Sequence, residues 1–469
     1  MRRPACWFAV AAGLILGPCV LARAEGDLAR LKGSSRSERD GWIVVRLAGP
    51  PGAIGYQHGY LLADEVADLL RVVKPFLAKT TGRDWAFYRE ASERMLWKGV
   101  DDEYRREIDG IVEGLKARGV EADRWDLVAL NALMELPYYY VPWLDKKEGK
   151  KPEVHAPGNC SAFIATGSWT KDGRIVMGHN NWTNYVVGTR WNIIFDIAPE
   201  KGERILMDGM PGVITSDDDF AVNSAGLVVT ETTITQFEGW DPEGKPEFVR
   251  SRKAMQYGRS IDDFARIMLE GNNGGYANDW LVGEIGTGEV AQLELGLKHH
   301  TLKRTKDGGF VGSNFPEGEA LIRDETKFDV NNAGSSPNAR RKRWGQLIAE
   351  NKGKIDVEVG KAMEADAFDA LAGQLGASER TLSGAAELSP RGVPEWDWAP
   401  FYPGGTVQSK VIDAAMAGRM EFWGAIGHHN TPDFVAEDFL KARPEYGWMR
   451  GLLKDLRARP WSRFSGTSR

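Results

Sequence analysis

Cys160 is where this sequence could do covalent chemistry. It lies in Asn159-Cys160-Ser161-Ala162-Phe163, at the head of a strand-turn-strand pattern that ends in Gly178-His179-Asn180-Asn181-Trp182. A thiol attacks as its thiolate, and a free cysteine ionises only near about 8.5, so a base must stand close. A cysteine at a chain terminus carries its own base, an α-amine of pKa about 7.7–8.0. The thiol proton can pass to that amine directly or through a water, the logic of nucleophiles paired with a terminal amine. Such a terminus requires the bond between Asn159 and Cys160 to break. The Cys160 thiol can break it by attacking the Asn159 carbonyl, which moves the acyl group from nitrogen to sulfur and leaves a thioester for water. The same thiol can then take an acyl group from a substrate while hydrogen-bond donors hold the oxyanion. A lone cysteine can equally be buried and inert.

Cys160 stands alone because of the N-terminus. Arg2 and Arg3, the apolar run from Ala5 to Leu21, and Ala22-Arg23-Ala24 form a secretory signal pattern with cleavage expected after Ala24. The apolar run is shorter than the roughly 20 residues of a membrane span. Cys6 and Cys19 would leave with the signal, so the mature chain could form no internal disulfide even in an oxidising compartment. No other apolar run is long enough to span a membrane. A secreted or periplasmic chain is the expectation.

Composition is that of a globular protein. The full chain has 60 Lys+Arg against 66 Asp+Glu, and losing Arg2, Arg3 and Arg23 makes the balance 57 − 66 = −9. That sign argues against a general nucleic-acid binder. The 17 tryptophans could line an apolar groove or be ordinary core residues.

The elements around Cys160 fall into blocks. Trp42 to Leu47 reads as a strand. Gly55-Tyr56-Gln57-His58-Gly59 reads as a tight turn into a helix carrying Leu62, Val66, Leu69, Leu70, Val73 and Leu77. His58 there could touch a ligand or simply serve the turn. Further helices follow until Pro137. Lys146 to Pro157 is polar and aperiodic, an exposed loop where a chain break is tolerated. Strands then follow: Ser161 to Thr166, Arg174 to His179 after the turn Lys171-Asp172-Gly173, Trp191 to Ile197, Arg204 to Met207, and Leu227 to Thr233. Short turns imply antiparallel pairing. Helices at Ser251–Gly258 and Ile261–Glu270 precede more strands, which predicts a layered α+β domain.

Taken together, Asn159-Cys160-Ser161-Ala162, Gly178-His179-Asn180-Asn181-Trp182, Met210-Pro211-Gly212 with Asp218-Asp219-Phe220, Gly226 to Ile234, Asn278-Asp279-Trp280, Gly312-Ser313-Asn314-Phe315-Pro316 and Gly404 to Lys410 resemble the phospholipase B-like family. That family belongs to the N-terminal-nucleophile (Ntn) hydrolases and is similar to autoproteolytic cysteine acyltransferases. The resemblance implies Cys160 as nucleophile and its new amine as base. It implies His179 and Trp182 as pocket residues, Thr233 as a pocket threonine, Asn314 as an oxyanion donor, and Arg340 as a pocket arginine. The interval from Cys160 to His179 is slightly longer than the family's. Ser336-Pro337-Asn338-Ala339-Arg340-Arg341 departs from its pattern, so Arg341 competes with Arg340.

Structural readings stand beside each of these. His179 could only bond its neighbours, Trp182 could be core, and Thr233 could reflect β-propensity. Asn314 could be a turn residue, and Arg340 to Arg343 could be a solvated cluster. Asp217-Asp218-Asp219 lacks the spacing of a calcium loop and reads as a turn entering a strand, and no metal or cofactor is called for. His299-His300 and His428-His429 read as surface pairs. Phe422-Trp423-Gly424-Ala425 and Pro460-Trp461-Ser462-Arg463-Phe464 resemble the family's closing segments and should pack on the core.

The expected architecture is a four-layer αββα sandwich of two antiparallel sheets between helices, preceded by a helical segment. Residues 1–24 would be the signal, 25–159 a mainly helical chain ending in the polar loop, and 160–469 the core chain. The two self-cleaved chains would stay associated. The expected activity is hydrolysis or transfer of an acyl group from an amide or ester, the resemblance pointing to a lipid-like substrate such as a phospholipid. The alternative is a catalytically silent lipid-binding protein on the same fold.

Overall fold

A computed structural model describes residues 29–152, 154, 156, 160–217 and 220–466. The signal pattern, Asn159, Asp218 and Asp219 therefore lie outside the described residues.

Two sheets form the centre. One has nine strands in the order Ser35–Arg39, Trp42–Gly49, Ile193–Pro199, Ile205–Gly209, Ala221–Asn223, Leu227–Thr233, Asn278–Glu284, Glu289–Leu295 and His300–Thr305. The other has six, in the order Gly308–Gly312, Ser161–Thr166, Val176–Asn184, Gly404–Asp413, Glu421–Ile426 and Ser462–Ser465. The six-stranded sheet is antiparallel throughout. The nine-stranded sheet departs from the expected pattern at one pair: Trp42–Gly49 runs parallel to Ile193–Pro199. Parallel neighbours need a long crossover rather than a tight turn, and here the crossover contains a helical layer and two strands of the other sheet.

Strand alternation stacks the sheets. Ala162, Ile164, Met177 and Ile412 of the six-stranded sheet pack with Ile194, Leu206, Val228 and Leu281 of the nine-stranded one. The other face of the same strands carries Phe163, Ala165, Val176 and Val411, which pack on Trp344, Leu347 and Ile348 of the helix Ser336–Asn351. Both faces of Ser161–Thr166 are thus buried, which is why its sequence alternates only weakly. Helices Pro51–Leu61, Ala63–Thr81, Asp102–Ala117, Glu247–Tyr257 and Ile261–Leu269 cover the outer face of the nine-stranded sheet. The layers are therefore α, β, β and α, as expected. The segments Phe422–Ala425 and Ser462–Phe464 lie in the last two strands at one side of the smaller sheet, and Phe422 and Phe464 are buried in the inter-sheet core.

The expected turn at Gly55–Gly59 is instead part of the helix Pro51–Leu61. Its glycines are contact points: a Cβ on Gly55 or Gly59 would come within 1.9 or 2.1 Å of the backbone carbonyls of Glu107 and Ile111. Two helices cross there backbone to backbone. His58 is buried in this layer, where its Nε2 accepts from the Gly212 N–H at 2.8 Å. The polar loop is shorter than expected, since the helix Val141–Lys147 takes in Lys146 and Lys147, while Ala156 is fully buried. The surface reading of the histidine pairs fails for His428, which is buried beside Tyr185.

Candidate active site

Cys160 immediately precedes the strand Ser161–Thr166, second from the edge of the smaller sheet. It is buried and has φ of +84°. That region is unfavourable for a side-chain-bearing residue and costs on the order of 1–3 kcal/mol where it persists. The surrounding bonds hold it. Arg340 Nη1 donates to the Cys160 carbonyl at 2.5 Å and to Ser161 Oγ at 3.0 Å. Arg340 Nη2 donates to Asn314 Oδ1 at 2.7 Å, and its Nε to Ser336 Oγ at 3.1 Å.

The helix Ser336–Asn351 explains why Arg340 and not Arg341 occupies this place. Ser335 Oγ caps its start by accepting from the Asn338 N–H, with Pro337 in the first turn. The buried stripe is Ser336, Arg340, Trp344, Leu347 and Ile348, a helical spacing. Arg341 falls off that stripe and pairs with Glu317 at 3.0 Å. Burial pulls the Arg340 guanidinium down to about 9, while Cys160 and Glu395 oppose the shift, so it remains charged at neutral pH. Its face lies 5.1 Å from the Trp182 ring and 5.4 Å from Trp396.

His179 and Trp182 lie three residues apart on Val176–Asn184 and so project to opposite faces. His179 is buried beside the Phe220 ring, in the inter-sheet core. Trp182 packs with Trp396, and its Nε1 donates to the Leu382 carbonyl at 3.0 Å. Asn314 has φ of +64°, and its Nδ2 donates to the Thr233 carbonyl at 2.8 Å. The expected oxyanion donor is therefore engaged with the backbone of the other sheet in this state. The Thr233 hydroxyl and both ends of the Asn278 amide, directly opposite across the strand pair, are buried without hydrogen-bond partners among the described residues. Buried polar groups left in that state are costly.

Two residues carry no role in the sequence reading. The Cys160 thiol donates to Glu231 Oε1 at 3.7 Å, and the Tyr276 hydroxyl donates to the same oxygen at 2.8 Å. Glu231 was visible as a carboxylate in a run of threonines, Thr230-Glu231-Thr232-Thr233, where a buried strand has no need of charge. The donor atoms of Cys160, His179 and Glu231 lie within 4.8 Å of one another. These three could converge on a metal ion, but the Arg340 charge beside Cys160 disfavours a cation there.

The phospholipase B family model matches residues 76–302, a span containing Cys160, His179, Trp182, Glu231 and Thr233. Over part of its length the chain is similar to phospholipase B-like proteins. Phospholipase B-like 1 of Rattus norvegicus is 25% identical over 285 residues, covering 54% of this chain and 49% of its own. Phospholipase B-like protein F of Dictyostelium discoideum is 30% identical over 135 residues, covering 27% and 23%. An uncharacterized protein of Archaeoglobus fulgidus is 26% identical over 267 residues, covering 52% and 42%. The matches thus span about half or less of the phospholipase B-like and archaeal relatives. A solved conjugated bile acid hydrolase from Clostridium perfringens aligns with 58% of this chain and 90% of its own at 12% identity, with a TM-score of 0.32. A likeness that distant decides neither fold nor function.

Proposed function

We propose that this phospholipase B-like relative is an exported, self-cleaving acyl hydrolase with Cys160 as nucleophile. The observation that carries the reading is the placement of Cys160: buried, in a strained conformation at the head of a sheet strand, its carbonyl held by a buried guanidinium. Cleavage after Asn159 would free the Cys160 amine, which takes the thiol proton as sulfur attacks a substrate carbonyl. Thr233 and Asn278 would donate to the oxyanion, joined by Asn314 if cleavage releases it from the Thr233 carbonyl. Arg340 would hold Cys160 and Asn314 in register, and His179 and Trp182 would bound the site. Water would then release the acyl group from sulfur. The substrate would be an amide or ester of a lipid-like acid.

A cavity of about 150 Å³ supports the apolar part of this reading. Tyr138, Tyr139, Trp143 and Phe237 line it together with Pro152 and Ala156, which lie just upstream of Cys160. A larger cavity of about 410 Å³ is lined by Pro51, Glu103, Arg106, Glu200 and Tyr257 and by none of the site residues. No helix among the described residues is long and apolar enough to cross a membrane. The strands Ser35–Arg39 and Trp42–Gly49 join the larger sheet, so the two cleaved chains would remain bound through the shared sheet.

The test is fatty-acid release from phospholipids and N-acyl amides by the cleaved protein, with and without alkylation of Cys160. Release abolished by alkylation is expected. Lipid bound but never released from either class would contradict the reading and favour a silent lipid-binding protein.

A further inference from the structure

The α-amine can serve as base only after the chain has been cut. The first reaction, on the chain's own Asn159–Cys160 bond, must deprotonate the thiol without it. Among the described residues, the Glu231 carboxylate accepts a hydrogen bond from that thiol, at Oε1 and 3.7 Å. The Tyr276 hydroxyl donates to the same oxygen at 2.8 Å and fixes the carboxylate's orientation. Cys160, Glu231 and Tyr276 are all buried, so no bulk solvent competes for the proton. His179 also has a ring nitrogen within 4.8 Å of the sulfur.

We propose that Glu231, oriented by Tyr276, is the general base and acid of self-cleavage. The proposal rests on the self-cleaving reading above. Glu231 takes the Cys160 thiol proton as sulfur bonds to the Asn159 carbonyl carbon. It returns that proton to the Cys160 nitrogen as the carbon–nitrogen bond breaks. The products are an Asn159 thioester on Sγ and a free α-amine. Water then adds to the thioester carbon, supplying its oxygen to the Asn159 carboxyl and one proton to the departing thiolate; its other proton passes to the new α-amine as the carboxyl ionises. One chain thus uses two bases in succession: Glu231 to make the terminus and the terminus to turn over substrate. The positive φ of Cys160 fits this order, because release of its N-terminal side lets a strained residue relax.

The experiment follows self-cleavage of freshly purified full-length precursor by denaturing mass spectrometry, for wild type, Glu231→Gln, Glu231→Asp, Glu231→Ala and Tyr276→Phe. A positioned general base contributes about 10²–10⁴-fold. Glu231→Gln is expected to slow cleavage by at least about 100-fold at an unchanged melting temperature. Tyr276→Phe should slow it less, and added formate should restore part of the rate in Glu231→Ala. If Glu231→Gln fails to fold, Glu231→Asp decides: it keeps the charge and withdraws it by one methylene, and slow cleavage is expected. Cleavage of Glu231→Gln or folded Glu231→Asp at the wild-type rate overturns the proposal, as does cleavage lost in His179→Gln but kept in Glu231→Gln. An uncut wild type would instead defeat the parent reading.

Discussion

Arg340 Nη1 donates to the Cys160 carbonyl at 2.5 Å and ties the outer helix Ser336–Asn351 to the residue beside the expected cut. The same guanidinium reaches Ser161, Asn314 and Ser336. Its loss would leave several buried acceptors unpaired, each at about 1–3 kcal/mol. Arg340→Lys is therefore expected to slow self-cleavage by about 100-fold or more and to lower stability by roughly 2–4 kcal/mol, since an ammonium cannot reproduce the fork. Arg341→Lys should change stability by less than about 0.5 kcal/mol, because its pair with Glu317 is partly exposed. Urea unfolding and cleavage kinetics on the two variants check this.

Asn314 combines a left-handed backbone with a side chain that bridges Arg340 and Thr233. Asn314→Gly keeps the backbone and removes the side chain, whereas Asn314→Ala removes both advantages. Both should lose acyl release. Asn314→Ala should be about 1 kcal/mol less stable than Asn314→Gly, because a Cβ disfavours that conformation. Equal stabilities measured by denaturant unfolding would place the cost in the side chain alone.

Much of this site was legible as text. The run around Cys160 singled out the residue proposed as nucleophile, and the weak alternation of the strand after it matches burial on both faces. Other parts needed the third dimension. Arg340 and Arg341 are adjacent in sequence, and only the buried stripe through Trp344 and Leu347 separates them. Gly55 and Gly59 looked like turn residues because glycine serves turns, yet here they let two helices touch backbone to backbone. Glu231 carried no role because no spacing links it to Cys160; the contact is made between strands of the two different sheets. The parallel pair Trp42–Gly49 with Ile193–Pro199 was likewise invisible to reasoning from short turns.

His58 gives a pH signature independent of catalysis. Burial, with a smaller push from Arg252, drives its pKa down from 6.5 to about 3. Its folded form is therefore neutral, and its contribution to stability is complete above about 6.5. Below that the unfolded chain binds a proton the folded chain refuses, so stability falls by up to about 1.4 kcal/mol per pH unit until about pH 3. Urea unfolding at pH 7, 6 and 5 should show this slope in wild type and a shallower one in His58→Gln, which can still accept from the Gly212 N–H.

Whether Cys160 becomes a terminus decides the self-activating chemistry. The intact mass of purified protein under denaturing conditions, beside Cys160→Ala, tests that directly. Two chains meeting between Asn159 and Cys160 in wild type, and one uncut chain in Cys160→Ala, are the predicted result. A single uncut chain in both would remove the amine, and with it the self-activating nucleophile.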